Sequence, residues 1–235
     1  MQKKYLMIYH DLVEQINNDM LPTSSLLPSE NDLAEIYQTS RETIRKALHL
    51  LSQHGYIQKI RGKGSIVIDR PRLDFPVSGI VSFKELAKKL NLDAKTTVIQ
   101  MEEVKRSSPI YKTINTKDKI WNVIRVRTID GENVILDKDY FIESIIPMPR
   151  IETCERSIYD YIEHELGLSI SFAQKEITVE EPTKQDRKLL DLKHHTNTVV
   201  IKSLVYLEDA RLFQFTESRH RPDKFKFVDF ARRIN

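Results

Sequence analysis

The sequence predicts an α+β protein in which a small, mostly helical part precedes a larger part built on an antiparallel sheet. In about the first 70 residues, short segments with helical apolar spacing follow serine cap residues, whereas beyond residue 77 long apolar runs are paired around turn signals. Between the two parts, Pro71 and Pro76 break the pattern. We therefore expect a first domain over 1–69, a linker over 70–76 and a second domain over 77–235.

The segment from residue 27 to residue 68 has the element order of a winged helix-turn-helix. Ser29 can cap a short helix that begins near Glu30, and Ser40 can cap a second helix from Arg41 to about Gln53. The second helix carries apolar residues at helical spacing, namely Ile44, Ala47, Leu48 and Leu51. A strand over 56–60, a tip with two glycines and a strand over 66–68 complete the wing.

The charge of this segment indicates what it binds. Between Arg41 and Lys63, six Lys or Arg residues stand against the single acid Glu42, a local charge of +5, while the whole chain carries only +3. A basic helix face beside a basic hairpin tip is typical of duplex DNA binding, and a solvated helix face with an ordinary hairpin is the alternative. Arginine can donate to guanine, whereas Thr43 and Lys46 suit the sugar-phosphate backbone. The predicted DNA contacts are Ser40, Arg41, Thr43, Arg45, Lys46, Arg61, Gly62, Lys63 and Gly64.

Turn and cap signals divide the second part into strands and helices. The expected strands are 77–81, 119–130, 134–142, 170–180, 198–207, 211–219 and one that begins near Phe225. The expected helices are 82–90 after Ser82, 157–167 opened by Ser157, and 185–192. Because several strands are joined by short turns, we expect an antiparallel sheet.

Composition excludes several classes of protein. No apolar run approaches the roughly 18 residues that a membrane-spanning helix needs, and the amphipathic N-terminus is not a signal peptide, so we expect a cytoplasmic protein that does not bind membranes. The single cysteine, Cys154, cannot form an intrachain disulfide and lacks a catalytic motif. The seven histidines lack metal-ligand spacing, so we expect no metal and no cofactor.

The run LPSENDLAEIYQTSRETIRKALHLLSQHGYIQKIRGKGSIVI resembles the winged helix-turn-helix of GntR-type bacterial regulators. The second part resembles the UTRA effector domain of their HutC subgroup, whose fold is similar to chorismate lyase. The phrases GIVSFKELAKKL, VILDKDYF and TESRHRPDKFKFVDFARR resemble trehalose-operon repressors of Gram-positive bacteria. The resemblance covers nearly the whole chain. It implies a homodimeric repressor, paired mainly through the second domain, that leaves its operator DNA on binding trehalose 6-phosphate or a related phosphosugar.

A phosphate site is expected in the second domain. Arg125 and Arg127 lie two residues apart on a predicted strand and therefore point to the same face. Two guanidiniums beside a helix start suit a dianionic phosphate, and the candidate starts are Ser82-Phe83-Lys84 and Ser157. Surface ion pairs across a hairpin are the alternative for the arginines. The resemblance implies that the arginine pair, Ser157 and the backbone at Ser82-Phe83 bind the effector.

Two acids are candidates for binding sugar hydroxyls. A three-residue loop at the 130–133 turn would place Asp137 opposite Arg125, whereas a two- or four-residue loop would turn it to the other face. The resemblance implies an acidic ligand at Asp137. Glu217 continues the apolar row of Phe213 and Phe215, and either ligand binding or a salt bridge would account for it. The chain departs from its relatives at His220, at Phe225 and in the segment Arg221-Pro222-Asp223-Lys224, which puts a hydroxyl contact from position 225 in doubt.

Three alternatives to this function can be stated. A corepressor that tightens DNA binding would use the same residues, and so would a regulator that responds to another sugar phosphate. A DNA-tethered lyase or hydrolase would need an activated nucleophile, a metal or a pair of carboxylates at fixed separation. The sequence contains no such arrangement, so we expect a transcriptional regulator and not an enzyme.

Overall fold

The computed structural model describes residues 3–68 and 80–227. The chain forms two compact units, which divide near residue 75. The predicted linker over 70–76 lies outside the described residues, so the proposed domain limits remain predictions. Among the described residues, no helix is both long and apolar enough to cross a membrane.

The first unit contains three helices and a two-stranded hairpin. These are α1 (Lys4–Asn17), α2 (Glu30–Ile36), α3 (Arg41–Gln53), β1 (Ile57–Ile60) and β2 (Gly64–Val67). The predicted caps are confirmed: Ser29 accepts from the N–H of Asp32 in a capping box, and Ser40 accepts from the N–H of Thr43. The predicted apolar face of α3 is buried and packs in one core with Ile8 and Leu12 of α1.

The hairpin after α3 is the predicted wing. β1 and β2 pair antiparallel, with Ile60 opposite Gly64. Both glycines of the tip, Gly62 and Gly64, have positive φ angles of 76° and 103°, which a side chain would strain. The wing strands thus begin and end within one or two residues of the predicted limits.

The second unit is a six-stranded antiparallel sheet with helices on both faces. The strands are β3 (Ala94–Glu103), β4 (Ile120–Ile129), β5 (Glu132–Ile142), β6 (Ile170–Glu180), β7 (Thr198–Leu207) and β8 (Leu212–His220), in the order β3-β4-β5-β8-β7-β6. The helices are α4 (Phe83–Lys89), α5 (Ile110–Ile114), α6 (Ile151–Arg156), α7 (Ile158–Asp160), which continues as a π-helical turn (Tyr161–Glu165), and α8 (Lys184–Leu189). The predicted α+β class is therefore confirmed.

Three of these elements have no counterpart among the predicted ones, and two expected strands differ. β3, α5 and α6 were not predicted. The expected strand over 77–81 lies partly outside the described residues, and Ile80 and Val81 are not in a strand. Phe225 is also not in a strand, and Phe227 forms only an isolated bridge. Instead, residues 222–224 form a 3-10 turn, because Pro222 starts it and cannot donate to a sheet.

Two β-bulges decide which residues share a face. The β4–β5 turn has a two-residue loop, since Ile129 pairs with Glu132, and alone this would turn Asp137 away from Arg125. Val134 is left unpaired between Asn133 and Ile135, and this extra residue brings Asp137 opposite Arg125. Phe213 is likewise skipped between the β7–β8 pairs. The side-chain alternation of β8 therefore reverses at Phe213.

The two faces of the sheet have separate cores. On one face, Trp121, Phe141 and Phe213 pack with Cys154 of α6 and Ile158 of α7. On the other face, Ile124, Val126 and Leu136 pack with Leu190 and Leu192, which follow α8. Beyond the first core, the same face carries polar side chains that line a cleft.

Candidate functional site

The first candidate surface is the exposed face of α3. The side chains of Arg41, Arg45 and Lys46 are more than half exposed, and all three lie on this face. Ser40 and Thr43 share a hydroxyl–hydroxyl hydrogen bond of 3.0 Å at the helix start. Both hydroxyls thus stand at the first turn of α3, an arrangement that suits a phosphate of the DNA backbone.

One carboxylate holds the two arginines of α3. Glu30 Oε2, at the start of α2, lies 2.8 Å from Arg45 Nε and 3.7 Å from Arg41 Nη2. The hydrogen bond to Glu30 raises the pKa of Arg45 above its ordinary value. Because these pairs are exposed, water and salt screen them, and DNA can replace Glu30 as the partner at small cost.

The predicted wing contacts also lie on the surface of the first unit. Arg61, Gly62, Lys63 and Gly64 are all exposed. No Cβ clash would arise at Gly62, so its positive φ rather than crowding explains the glycine. All nine predicted DNA contacts thus belong to α3, its cap or the wing.

The second candidate site is a cleft on one face of the large sheet. Its walls come from the start of α4, the α6–α7 junction and the cleft-facing side chains of five strands. The charged side chains that line it are Lys84, Arg125, Arg127, Arg156, Lys175, Asp137 and Asp139. Five cations therefore face two carboxylates, and the cleft suits an anionic ligand.

Arg125 is fixed at the floor of the cleft. Its Nη2 donates to Asp139 Oδ2 at 2.6 Å, and its Nη1 donates to the carbonyl oxygen of Cys154 at 3.1 Å. Burial lowers the pKa of Arg125, but Asp139 and Asp137 outweigh this and hold the pKa above its ordinary value. Among the described residues, nothing accepts a hydrogen bond from Arg125 Nε, which is buried. A ligand oxygen would satisfy that donor.

Arg127 stands beside Arg125 with a different set of partners. Its Nε donates to Asp137 Oδ2 at 2.8 Å, its Nη1 donates to the hydroxyl of Thr96, and its guanidinium lies 4.6 Å from the centroid of the Phe83 ring. Burial and the adjacent Arg125 lower the pKa of Arg127 to about 10. The two guanidiniums repel each other, and a dianion between them would relieve that repulsion.

The acids beneath the arginines are held by further polar groups. Ser218 Oγ donates to Asp137 Oδ1 at 2.6 Å, and Gln214 Nε2 donates to Asp139 Oδ1 at 2.8 Å. Burial raises the pKa of Asp137, but Arg127 and Arg125 outweigh it and hold the pKa below its ordinary value. The two arginines thus form ion pairs across the hairpin, as the alternative expected, but these pairs lie in a buried cleft rather than on the surface, and the phosphate site remains a prediction.

The two predicted helix starts flank the arginines. Ser82 is buried and forms a capping box with Glu85, and Ser157, also buried, accepts from the N–H of Asp160. Lys84 Nζ lies 2.6 Å from Asp160 Oδ2, so a salt bridge joins the first turn of α4 to that of α7. The structure therefore brings seven of the eight predicted effector residues to one cleft: Ser82, Phe83, Lys84, Arg125, Arg127, Asp137 and Ser157.

Glu217 is the exception and is corrected. It lies on the opposite face of the sheet, where its carboxylate is 3.3 Å from Lys138 Nζ and 3.4 Å from Arg219 Nη1. The bulge at Phe213 is the physical reason, because it reverses the alternation on which the prediction relied. Of the two explanations considered for this acid, the salt bridge is the one observed.

Several residues of the cleft were not predicted. They are Asp139, Arg156, Tyr159, Lys175, Ser203, Gln214, Thr216, Ser218 and the buried His220. Asp139 could have been found, since it lies two residues beyond Asp137 on the same strand. Arg156 and Tyr159 could also have been found, since they lie within two residues of Ser157 at the α6–α7 junction. The others depend on the order in which β8, β7 and β6 pair. Burial lowers the pKa of His220 to about 4, so its imidazole is neutral at neutral pH.

Metal binding and thiol chemistry are both limited among the described residues. Among residues 3–68 and 80–227, no group of three histidine, cysteine, aspartate or glutamate side chains is placed to hold a metal ion. Cys154 is buried, and burial raises the pKa of its thiol to about 11, which leaves it protonated and unreactive at neutral pH.

Comparison with known proteins finds two family models that match this chain. A family model described as bacterial regulatory proteins, gntR family, matches residues 4–67, and the UTRA domain model matches residues 87–226. The HTH-type transcriptional regulator TreR of Bacillus subtilis is 57% identical over 232 residues, which cover 98% of each chain.

Two solved structures are similar as well. The possible transcriptional regulator YydK from Bacillus subtilis has a TM-score of 0.79 and 25% identity, covering 98% of this chain and 100% of that one. The effector binding domain of the B. subtilis trehalose repressor (TreR) has a TM-score of 0.55 and 57% identity, covering 60% of this chain and 99% of that one.

Proposed function

Because this chain belongs to the GntR family of bacterial regulatory proteins and carries a UTRA domain, we propose that it represses a trehalose-utilisation operon and leaves its operator on binding trehalose 6-phosphate. It is a DNA-binding transcriptional regulator of the TreR type and not an enzyme, as its relatives are named transcriptional regulators. The operator, the effector and the assembly belong to the proposal.

The observation that carries the effector proposal is the pair of buried guanidiniums. Arg125 has a buried nitrogen for which the described residues supply no acceptor, and Arg127 is destabilised as a cation by its neighbour. A phosphate dianion supplies acceptors for both side chains, with the starts of α4 and α7 beside it. Asp137 and Asp139 remain as acceptors for sugar hydroxyls next to the phosphate.

The switch is a shift between two populations. The phosphate is expected to bind Lys84 and the turn at Ser157. The Lys84–Asp160 salt bridge connects these two segments. Binding therefore reorders the start of α4, which follows the predicted linker. The effector releases DNA only if it binds the released arrangement more tightly, and a coupling of about 1–3 kcal/mol is typical.

The proposed assembly is a homodimer formed mainly through the second domain. One recognition helix and one wing cover few base pairs, so two copies should read a palindrome whose half-sites lie about one helical turn apart. Light scattering of the free protein and of its complex with DNA tests this. A monomer in both states would contradict it.

Release from DNA is the direct test of the effector. A labelled duplex, selected by the protein from random-sequence DNA, is followed by fluorescence anisotropy during titration with trehalose 6-phosphate, glucosamine 6-phosphate or free trehalose. The proposal expects release by the first alone. Release by glucosamine 6-phosphate would identify a different sugar phosphate as effector, and tighter binding would identify a corepressor.

A further inference from the structure

The cleft continues well beyond the two arginines. Strand pairing aligns Asp139 with Thr216, Thr216 with Ser203, and Ser203 with Lys175, so one row of polar side chains crosses β5, β8, β7 and β6. All four side chains line the cleft. Arg125 and Arg127 lie one strand further out, on β4. The row therefore begins beside the phosphate site and ends at the far side of the sheet.

The length of this row selects the size of the ligand. Neighbouring strands are about 4.8 Å apart, so Lys175 lies about 14 Å across the sheet from Asp139. A pyranose ring is roughly as wide as one strand spacing. A hexose phosphate whose phosphate sits between Arg125 and Arg127 thus covers β5 and β8 at most. Thr216 stands at the limit of its reach, and Ser203 and Lys175 lie beyond it.

The chemistry of the far end suits a second sugar ring. Ser203 is buried and Lys175 is half-buried, so both offer hydrogen bonds in a partly water-excluded place. Ala173, Ile201 and Val205 line the same end and can pack against the C–H face of a ring.

We propose that the row Thr216–Ser203–Lys175 is a second subsite, which binds the non-phosphorylated ring of a disaccharide phosphate and so distinguishes it from a monosaccharide phosphate. This rests on the proposed function, because the phosphate end of the cleft must hold the ligand first. Lys175 and Ser203 are then determinants of specificity for the second ring.

Calorimetric titration of the full chain tests the subsite without knowledge of the operator. The ligands are trehalose 6-phosphate and glucose 6-phosphate, and the variants are Lys175→Met and Ser203→Ala. Each variant should weaken the binding of trehalose 6-phosphate by about tenfold, which is the loss expected for one buried hydrogen bond to a hydroxyl or ammonium. Neither should change the Kd of glucose 6-phosphate.

Lys202→Met is the matched control. Lys202 lies next to Ser203 on β7 but faces away from the cleft, where it pairs with Glu180, so its loss should leave both ligands unaffected. An unchanged Kd of trehalose 6-phosphate in both cleft variants would overturn the subsite while leaving the proposed function intact. An equal loss of affinity for trehalose 6-phosphate and glucose 6-phosphate in the cleft variants would also overturn the subsite. Failure of the wild type to bind either sugar phosphate would instead remove the proposed function, and the subsite with it.

Discussion

The two cationic surfaces of this protein use the same side chain in opposite environments. On α3, Arg41 and Arg45 have 58% and 55% of their side chains exposed and share the carboxylate of Glu30. In the cleft, Arg125 and Arg127 are only 8% and 7% exposed and pair with Asp139 and Asp137. Exposed pairs are worth little and break easily, whereas breaking a buried pair leaves an uncompensated charge.

This difference suits the two proposed ligands, a DNA duplex and a sugar phosphate. A DNA duplex offers many phosphates along a surface, and its binding is driven by counterion release, so the protein needs mobile, exposed cations. A single small dianion must be recognised by geometry, so its cations are held rigid by carboxylates, a backbone carbonyl and the Phe83 ring. The comparison predicts that changes in the cleft alter folding and effector binding, whereas changes on α3 and the wing alter DNA binding alone.

The largest effect is expected from removing the buried arginine. Arg125→Ala leaves Asp139 buried without its cation, which should cost about 3–5 kcal/mol of folding free energy. The double variant Arg125→Gln with Asp139→Asn removes both charges, so it should fold and bind DNA normally but lose at least about 100-fold in affinity for trehalose 6-phosphate. Chemical denaturation and calorimetry measure the two quantities. Normal effector affinity in the double variant would show that the phosphate site lies elsewhere.

The next effect is a pH dependence of stability that arises from the buried cleft. The folded-state pKa of His220 is about 4, below the unfolded value of about 6.5, so the unfolded chain binds the proton first as the pH falls. The contribution of His220 to the free energy of unfolding is fully present above about pH 6.5 and falls by up to about 3 kcal/mol as the pH drops to about 4. His220→Gln should lack this part of the loss. Parallel stability curves for the variant and the wild type over this range would contradict a buried neutral imidazole.

A smaller effect is expected on α3. Arg45→Ala should weaken specific DNA binding by about 10- to 100-fold and relax the choice of base at one operator position. Effector affinity of the free protein should not change. Competition assays with single-base variants of the selected duplex check this, and a uniform loss across all sequences would assign Arg45 to the phosphate backbone instead.

The smallest effect is expected at the wing. Lys63→Ala should weaken binding to all duplexes alike and reduce the steepness of log K against log salt concentration by about one. Gln58→Ala, on the first wing strand, is a neutral control for the loss of a side chain. A slope that stays the same in the Lys63 variant would exclude a phosphate contact at the wing tip.

Local signals account for what could be predicted from the sequence. The caps at Ser29, Ser40, Ser82 and Ser157 are confirmed, because a cap depends only on residues three positions away. The shared face of Arg125 and Arg127 also follows from strand periodicity alone. Together with the family resemblance, these local features identified seven residues that line the cleft.

What was missed depends on long-range pairing. The loop at Asp130-Gly131 has two residues, and only the bulge at Val134 places Asp137 in the cleft. The bulge at Phe213 removes Glu217 from it. A bulge arises from twist and packing in the assembled sheet, so no residue type at Val134 or Phe213 predicts it from the sequence. The polar row that ends at Lys175 likewise exists only because β8, β7 and β6 are neighbours.

The measurement that tests the account most directly is the coupling between the two surfaces. The Kd of the selected duplex is measured with and without saturating trehalose 6-phosphate, and the Kd of trehalose 6-phosphate is measured for free and DNA-bound protein. We expect trehalose 6-phosphate to raise the Kd of the duplex, and bound DNA to raise the Kd of trehalose 6-phosphate, by the same factor of about 5- to 150-fold, as linkage requires. Equal affinity of trehalose 6-phosphate for the free and DNA-bound protein would contradict the account.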